Sequence, residues 1–99
     1  MKSLKQPCAY IMANQPRGTL YTGVTSHLVA RVYQHKEEVV PGFTQRYGRK
    51  ILVYYAWFEG MEAAIVYEKK LKAGSRAKKI ALIEQMNPTW CDLYPHITA

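Results

Sequence analysis

Ninety-nine residues, 48% of them hydrophobic, are enough for one compact domain with a single core and leave little room for a second. Fourteen Lys and Arg against seven Asp and Glu give a formal charge of +7 and a pI near 9.5, which favours a polyanionic partner, nucleic acid first. No apolar run approaches the roughly 18 to 20 residues of a membrane span, and Met1 to Pro7 lacks a signal-like apolar stretch, so a soluble cytoplasmic protein with no membrane partner is expected.

Cys8 and Cys91 lie far apart, without the paired spacing of a zinc site or a disulfide framework. Both read as small buried hydrophobes. From the amino terminus, residues 8–12 (CAYIM) and 19–24 (TLYTGV) are short runs rich in β-branched and aromatic residues, separated by the turn chemistry of Asn14-Gln15-Pro16-Arg17-Gly18. That pattern predicts a β-hairpin.

Thr25 or Ser26 can cap a helix running to about Lys36, in which Leu28, Val29, Val32 and Tyr33 recur at helical spacing and should pack on the hairpin. His27, Arg31 and His35, four residues apart, would stack along one edge of it. Glu37 to Lys50 reads as a functional loop, broken by Pro41-Gly42 and Gly48 and kept partly apolar by Val39, Val40, Phe43 and Tyr47.

Residues 51–58 (ILVYYAWF) are apolar throughout, as a buried central strand requires. Two helices should follow, one from about Met61 to Lys72 ended at Gly74, and one from about Arg76 to Met86 that Pro88 prevents from continuing. The expected fold is α/β (α+β): a small three-stranded antiparallel sheet flanked by helices, in one domain over 1–99 with its core at about 8–94. There is no internal repeat or low-complexity segment.

Two features point to chemistry. In the helix beginning near Met61, the residues Met61, Ala64, Ile65 and Leu71 define an apolar face, and Glu68 projects from its middle. A buried unpaired carboxylate costs several kcal/mol, so Glu68 needs a salt bridge, to Lys72 or Arg31, or a hard divalent cation such as Mg²⁺, which one carboxylate plus waters and phosphate oxygens can hold. The second feature is the run KKLKAGSRAKK, which places Lys69, Lys70, Lys72, Arg76, Lys78 and Lys79 within eleven residues. It is either a solvated helical face or a phosphate-binding ridge.

Cys8-Ala9-Tyr10 followed, after ten intervening residues, by Tyr21-Thr22-Gly23 resembles the paired motifs that name the GIY-YIG nucleases. The likeness continues through Arg31, His35 one helical turn on, Glu68 on the later helix and Asn87 after the last one. Gly42-Phe43-Thr44 and Asn87-Pro88-Thr89-Trp90-Cys91-Asp92-Leu93 look like the short stand-alone bacterial branch. Cys8-Ala9 and Thr22 depart from the motif letters at positions that mainly shape the strands.

The resemblance implies a metal-dependent DNA endonuclease with a three-stranded sheet, one Mg²⁺ or Mn²⁺ ion, and a site of Tyr10, Tyr21, Arg31, His35, Glu68 and Asn87. Glu68 would bind the ion, which neutralises the scissile phosphate and stabilises the leaving 3′ oxygen. Arg31 would meet the phosphoryl oxygens. A tyrosinate, Tyr21 in preference, would take the proton of the attacking water, with Tyr10 and His35 orienting it or relaying the proton. Asn87 would hold the sheet against the helices or the ion's water shell, and Gly23 would let backbone approach the substrate. His27 matches no catalytic position.

So small a domain argues against extensive base-specific reading of duplex DNA. Arg46, Tyr47 and Arg49, with Phe43, suit stacking on unpaired bases while pairing with phosphates, and the basic run adds to the DNA-binding surface. Single-stranded DNA is therefore the preferred substrate, with no obligate protein partner. Alternatives are a structure-selective nuclease on branched or flapped duplex, a catalytically silent DNA-binding module, and a protein-interaction domain using Trp57 or Val39-Val40.

Overall fold

Where apolar side chains alternate between two faces, strands form. A computed structural model, describing residues 6–37 and 50–98, contains β1 (Cys8–Ala13), β2 (Leu20–Thr25) and β3 (Ile51–Trp57) in one antiparallel sheet of order β2-β1-β3. Every residue of β1 is buried, as a central strand covered on both faces requires. The hairpin turn is organised by Asn14, whose Oδ1 accepts from the Thr19 N–H at 2.7 Å. A Cβ on Gly18 would lie 2.1 Å from that oxygen, which is why a glycine stands there.

The helices are α1 (Leu28–Glu37), α2 (Met61–Ala73), α3 (Arg76–Met86) and α4 (Tyr94–Thr98). Thr25 does turn its hydroxyl onto the entry to α1, accepting from the His27 N–H at 3.0 Å, but the helix begins one residue later than a Ser26 cap implies. Ser75 caps α3 by accepting from the Lys78 N–H. Gly74 ends α2 in an extended rather than left-handed conformation (φ −75°), so its own N–H, donated to Lys70 O and Leu71 O, closes the last turn. The short α4 had no sequence signal long enough to show a period.

Two cores result. On one face of the sheet Ala9, Ile11, Ile51, Val53 and Tyr54 meet Leu71 of α2, Ile83 of α3 and Trp90. On the other, Cys8, Tyr10, Met12 and Leu52 meet Leu28 and Val32 of α1 and Leu93. Between Ile11 and Met12 the pairing with β3 slips by one residue, so Ile11 faces Tyr54 and Met12 faces Leu52. This bulge lets Val53 and Tyr54, adjacent in sequence, share one core.

The sequence expectation needs three corrections here. The central strand is β1, and the apolar run that opens at Ile51 forms β3 at one edge of the sheet. The buried stripe of α1 is Leu28, Val32 and His35, while Tyr33 is 55% exposed. Cys91 is exposed, its turn facing solvent, whereas Cys8 is buried as expected. The 37–50 loop carries the expected DNA-contacting Arg46, Tyr47 and Arg49, and these lie outside the described residues; its neighbours Lys36 and Lys50 donate to each other's carbonyl oxygens at 3.0 Å.

Candidate active site

Strand register sets the first two residues. Tyr10 pairs with Gly23 and Met12 with Tyr21 across β1 and β2, so both tyrosines project from the face that α1 covers. A Cβ on Gly23 would meet the Tyr10 hydroxyl at 2.5 Å and its ring carbons at 2.6 and 2.9 Å. Gly23 thus makes room for the Tyr10 ring.

From α1, His35 turns inward to meet them. Its Nε2 lies 3.0 Å from the Tyr10 hydroxyl, and its ring stands edge-on to Tyr10 and Tyr21 at centroid distances of 5.8 and 4.9 Å. The tyrosine rings are 6.5 Å apart. Only 4% of His35 is exposed, and its Nδ1 is buried without a hydrogen-bond partner among the described residues.

Burial has opposite effects on the two groups, because it disfavours whichever form is charged. The Tyr10 phenol is pushed up to about 12 by desolvation and by Tyr21, against a counter-pull from the Arg31 guanidinium. His35 is pushed down to about 4 by desolvation, then by the positive charges of Arg31 and Lys50. At neutral pH the pair is a neutral phenol bonded to a neutral imidazole. Arg31, one turn before His35, is exposed, with Nη1 donating to Gln34 at 3.2 Å.

Glu68 is buried in the middle of α2, as its position on the apolar face predicted, and the salt-bridge alternative holds: Lys72 Nζ lies 2.7 Å from its Oε2. The Lys72 pKa is raised, first by the hydrogen bond to Glu68 and more weakly by Tyr21, so the ammonium lies within electrostatic reach of both. The structure therefore gathers Tyr10, Tyr21, His35 and Arg31 directly, and pairs Glu68 with Lys72.

Asn87 has a different place. Its amide nitrogen donates to Val53 O at 3.3 Å and Cys91 O at 2.8 Å, and its amide oxygen accepts from the Cys91 N–H at 3.1 Å and thiol at 3.4 Å. Those four bonds use the full capacity of a carboxamide. Val53 is the extra residue of the β3 bulge, so Asn87 satisfies a carbonyl at the break in the ladder and fastens the turn in which Trp90 takes a positive φ of 57°. These bonds join β3 to the turn and occupy the whole amide.

Nor does the basic run form one ridge. Arg76 Nη2 donates to Arg17 O and Gly18 O at 2.7 and 2.8 Å, fastening α3 to the hairpin turn. Lys70, Lys78 and Lys79 line a cleft between α2 and α3, Lys72 serves Glu68, and Lys69 is exposed. Gly74 and Ser75 turn the chain between the two halves.

One lining that sequence reasoning missed is a cleft of about 310 Å³ between α1 and α4, walled by His27, Val29, Ala30, Tyr33 and Tyr94. The signal lies in the aromatic pair Tyr33 and Tyr94, but helical spacing assigns Tyr33 to the core.

Among the described residues no three His, Cys, Asp or Glu side chains gather as a metal cage. A lone buried carboxylate fits an ion that keeps waters and takes oxygens from a phosphate, and does not fit one that demands a full protein shell.

Residues 6–81 match the family model described as the GIY-YIG catalytic domain, a stretch that holds Tyr10, Tyr21, Arg31, His35 and Glu68 and stops short of Asn87. The chain is 31% identical over 67 residues to a UPF0213 protein of Staphylococcus haemolyticus (strain JCSC1435), covering 68% of this chain and 82% of that protein. No solved structure matches it.

Proposed function

This chain belongs to the GIY-YIG family, and we propose that it is a divalent-metal-dependent endonuclease that hydrolyses phosphodiester bonds in DNA, with single strands preferred. The family supports a nuclease-type function with DNA as substrate. The observation that carries the reading is the packed cluster of Tyr10, His35 and Tyr21 with an exposed guanidinium, Arg31, one helical turn away.

The roles follow from burial. Tyr10, fully enclosed and held near 12, neither reaches solvent nor ionises near neutrality, so it is a positioning residue. Tyr21, half buried beside it, is the base: as the tyrosinate it takes the proton of the attacking water and becomes the neutral phenol. Neutral His35 fixes the Tyr10 hydroxyl and packs edge-on against the Tyr21 ring, which limits the directions in which the phenol oxygen can point. Arg31 pairs with the phosphoryl oxygens as negative charge accumulates.

Glu68 holds the ion, Mg²⁺ or Mn²⁺. When bound, such an ion neutralises the scissile phosphate and stabilises the departing 3′ oxygen. Asn87 and Gly23 keep the sheet and the Tyr10 ring where this geometry needs them.

Support for single strands comes from the α1–α4 cleft. Tyr33 and Tyr94 offer aromatic faces there, on which unpaired bases can stack. Arg46, Tyr47 and Arg49 would extend that contact, as would Lys69, Lys70, Lys78 and Lys79 along α2 and α3.

The test is cleavage of labelled single-stranded, duplex, flapped and branched DNA, each with and without Mn²⁺. Cutting of the single strand should require the ion, and Glu68→Ala and Arg31→Ala should lose turnover while retaining binding. Undiminished cleavage by both variants refutes the assignment.

A further inference from the structure

Three ion pairs join described residues, and two are knitted into the fold. Asp92 meets Lys36 while also accepting from the Leu52 and Tyr94 N–H groups, and Lys36 donates onward to Lys50 O. Glu84 meets Arg17 while accepting from the Trp90 indole at 2.8 Å. The third differs in its asymmetry: the Glu68 side chain is 8% exposed, and the Lys72 side chain that reaches it is 59% exposed.

That asymmetry has a physical meaning. A carboxylate buried to this degree needs a positive charge beside it, since desolvation of a bare anion costs several kcal/mol. The charge supplied here comes from solvent on a flexible four-carbon stem, one turn along the same helix, and the ammonium regains full hydration when it swings away. A buried arginine, or a lysine held by further bonds as Lys36 is, would make the pair permanent.

We propose that Lys72 is the resident counter-ion of the metal seat: it neutralises Glu68 while no ion is bound, and an arriving divalent cation displaces it into solvent. This rests on the reading of Glu68 as the metal-binding carboxylate. Lys72 thereby sets the metal affinity of the site, holding it below what the carboxylate alone would give, in exchange for a folded state that tolerates an empty seat.

Manganese binding to the whole chain without DNA tests this directly, with free Mn²⁺ followed by electron paramagnetic resonance. Lys72→Met should bind Mn²⁺ about tenfold more tightly than the wild type, a change that corresponds to about 1.4 kcal/mol. Lys72→Arg keeps the cation and should bind no more tightly than wild type, and Glu68→Gln should lose binding. The Mn²⁺-induced rise in melting temperature should likewise be larger in Lys72→Met than in the wild type. Equal or weaker Mn²⁺ affinity in Lys72→Met overturns the proposal while leaving Glu68 as a ligand. Undiminished binding by Glu68→Gln overturns the metal seat itself, and the proposal with it.

Discussion

The two faces of the sheet are buried alike and composed differently. Against α2 and α3 the contacts are largely aliphatic, and the hydroxyl pair there, Tyr54 with Tyr67 at 2.6 Å, joins strand to helix. Against α1 and α4 the same depth of burial encloses a phenol and an imidazole bonded to each other beside an exposed guanidinium. Apart from Glu68 on α2, the first face is built to hold the molecule together. The second places polar groups where their protonation and orientation are fixed by what surrounds them.

If that division is right, substitutions on the two faces should separate activity from stability. The largest effect is expected from Tyr21→Phe, which keeps the ring and its packing against His35 and removes the proton acceptor. Cleavage should slow by about a hundred- to ten-thousandfold, with the melting temperature unchanged in a thermal scan. A variant that still cuts at the wild-type rate would move the base elsewhere.

Ile83→Ala should do the reverse. Ile83 is fully buried against Val53 and Trp90's cluster on the aliphatic face, so the cavity should cost about 2–5 kcal/mol in urea denaturation. Cleavage per folded molecule should be unchanged. Loss of activity in proportion to neither stability nor folded fraction would mean that the two faces are coupled.

Lowering the pH sharpens the comparison further. His35 has a folded pKa near 4, below its ordinary 6.5, because burial and then Arg31 and Lys50 oppose its charged form. Between those values the unfolded chain binds a proton that the folded chain refuses, so stability is lost as pH falls from 6.5 to about 4 and this loss levels off below. The drop should approach about 3 kcal/mol. In His35→Gln, equilibrium unfolding followed across the same range should show that part of the slope gone.

Much of this architecture was legible in the sequence because it rests on local pattern. The β-branched and aromatic runs CAYIM and TLYTGV, the apolar run from Ile51 and the turn at Asn14 to Gly18 place the sheet, and Glu68 on an apolar stripe announces a buried charge needing a partner. What escaped depends on long-range partners. Helical periodicity ranks Tyr33 above His35 for burial, yet the Tyr10 hydroxyl rewards burial of the imidazole and turns α1 accordingly. The bulge is hidden because a wholly apolar strand carries no phase to break. Gly23 reads as a flexible motif letter, and only the register shows that Tyr10 lies across it.

Asn87 is where the family motif and the geometry bear on one residue from different sides. A carboxamide at this point of the order resembles a catalytic position, but all four of its bonds run to Val53 and Cys91. Asn87→Ala would strip the bulge carbonyl of a donor and release the turn that holds Trp90 at positive φ, so it should destabilise the fold by about 1–3 kcal/mol in urea. Its effect on cleavage should vanish once corrected for the folded fraction, and should be largest near the melting transition. Asn87→Asp should fare little better, since a carboxylate restores the acceptor for the Cys91 N–H but offers no proton to Val53 O or Cys91 O. A tyrosine or arginine variant in the cluster should show the opposite signature, with turnover lost at every temperature and the transition in place. The polar face thus depends on the aliphatic one at a named carbonyl: the Val53 bulge leaves Leu52 opposite Met12 in the cluster that holds Tyr10, and Asn87 bonds the bulged carbonyl.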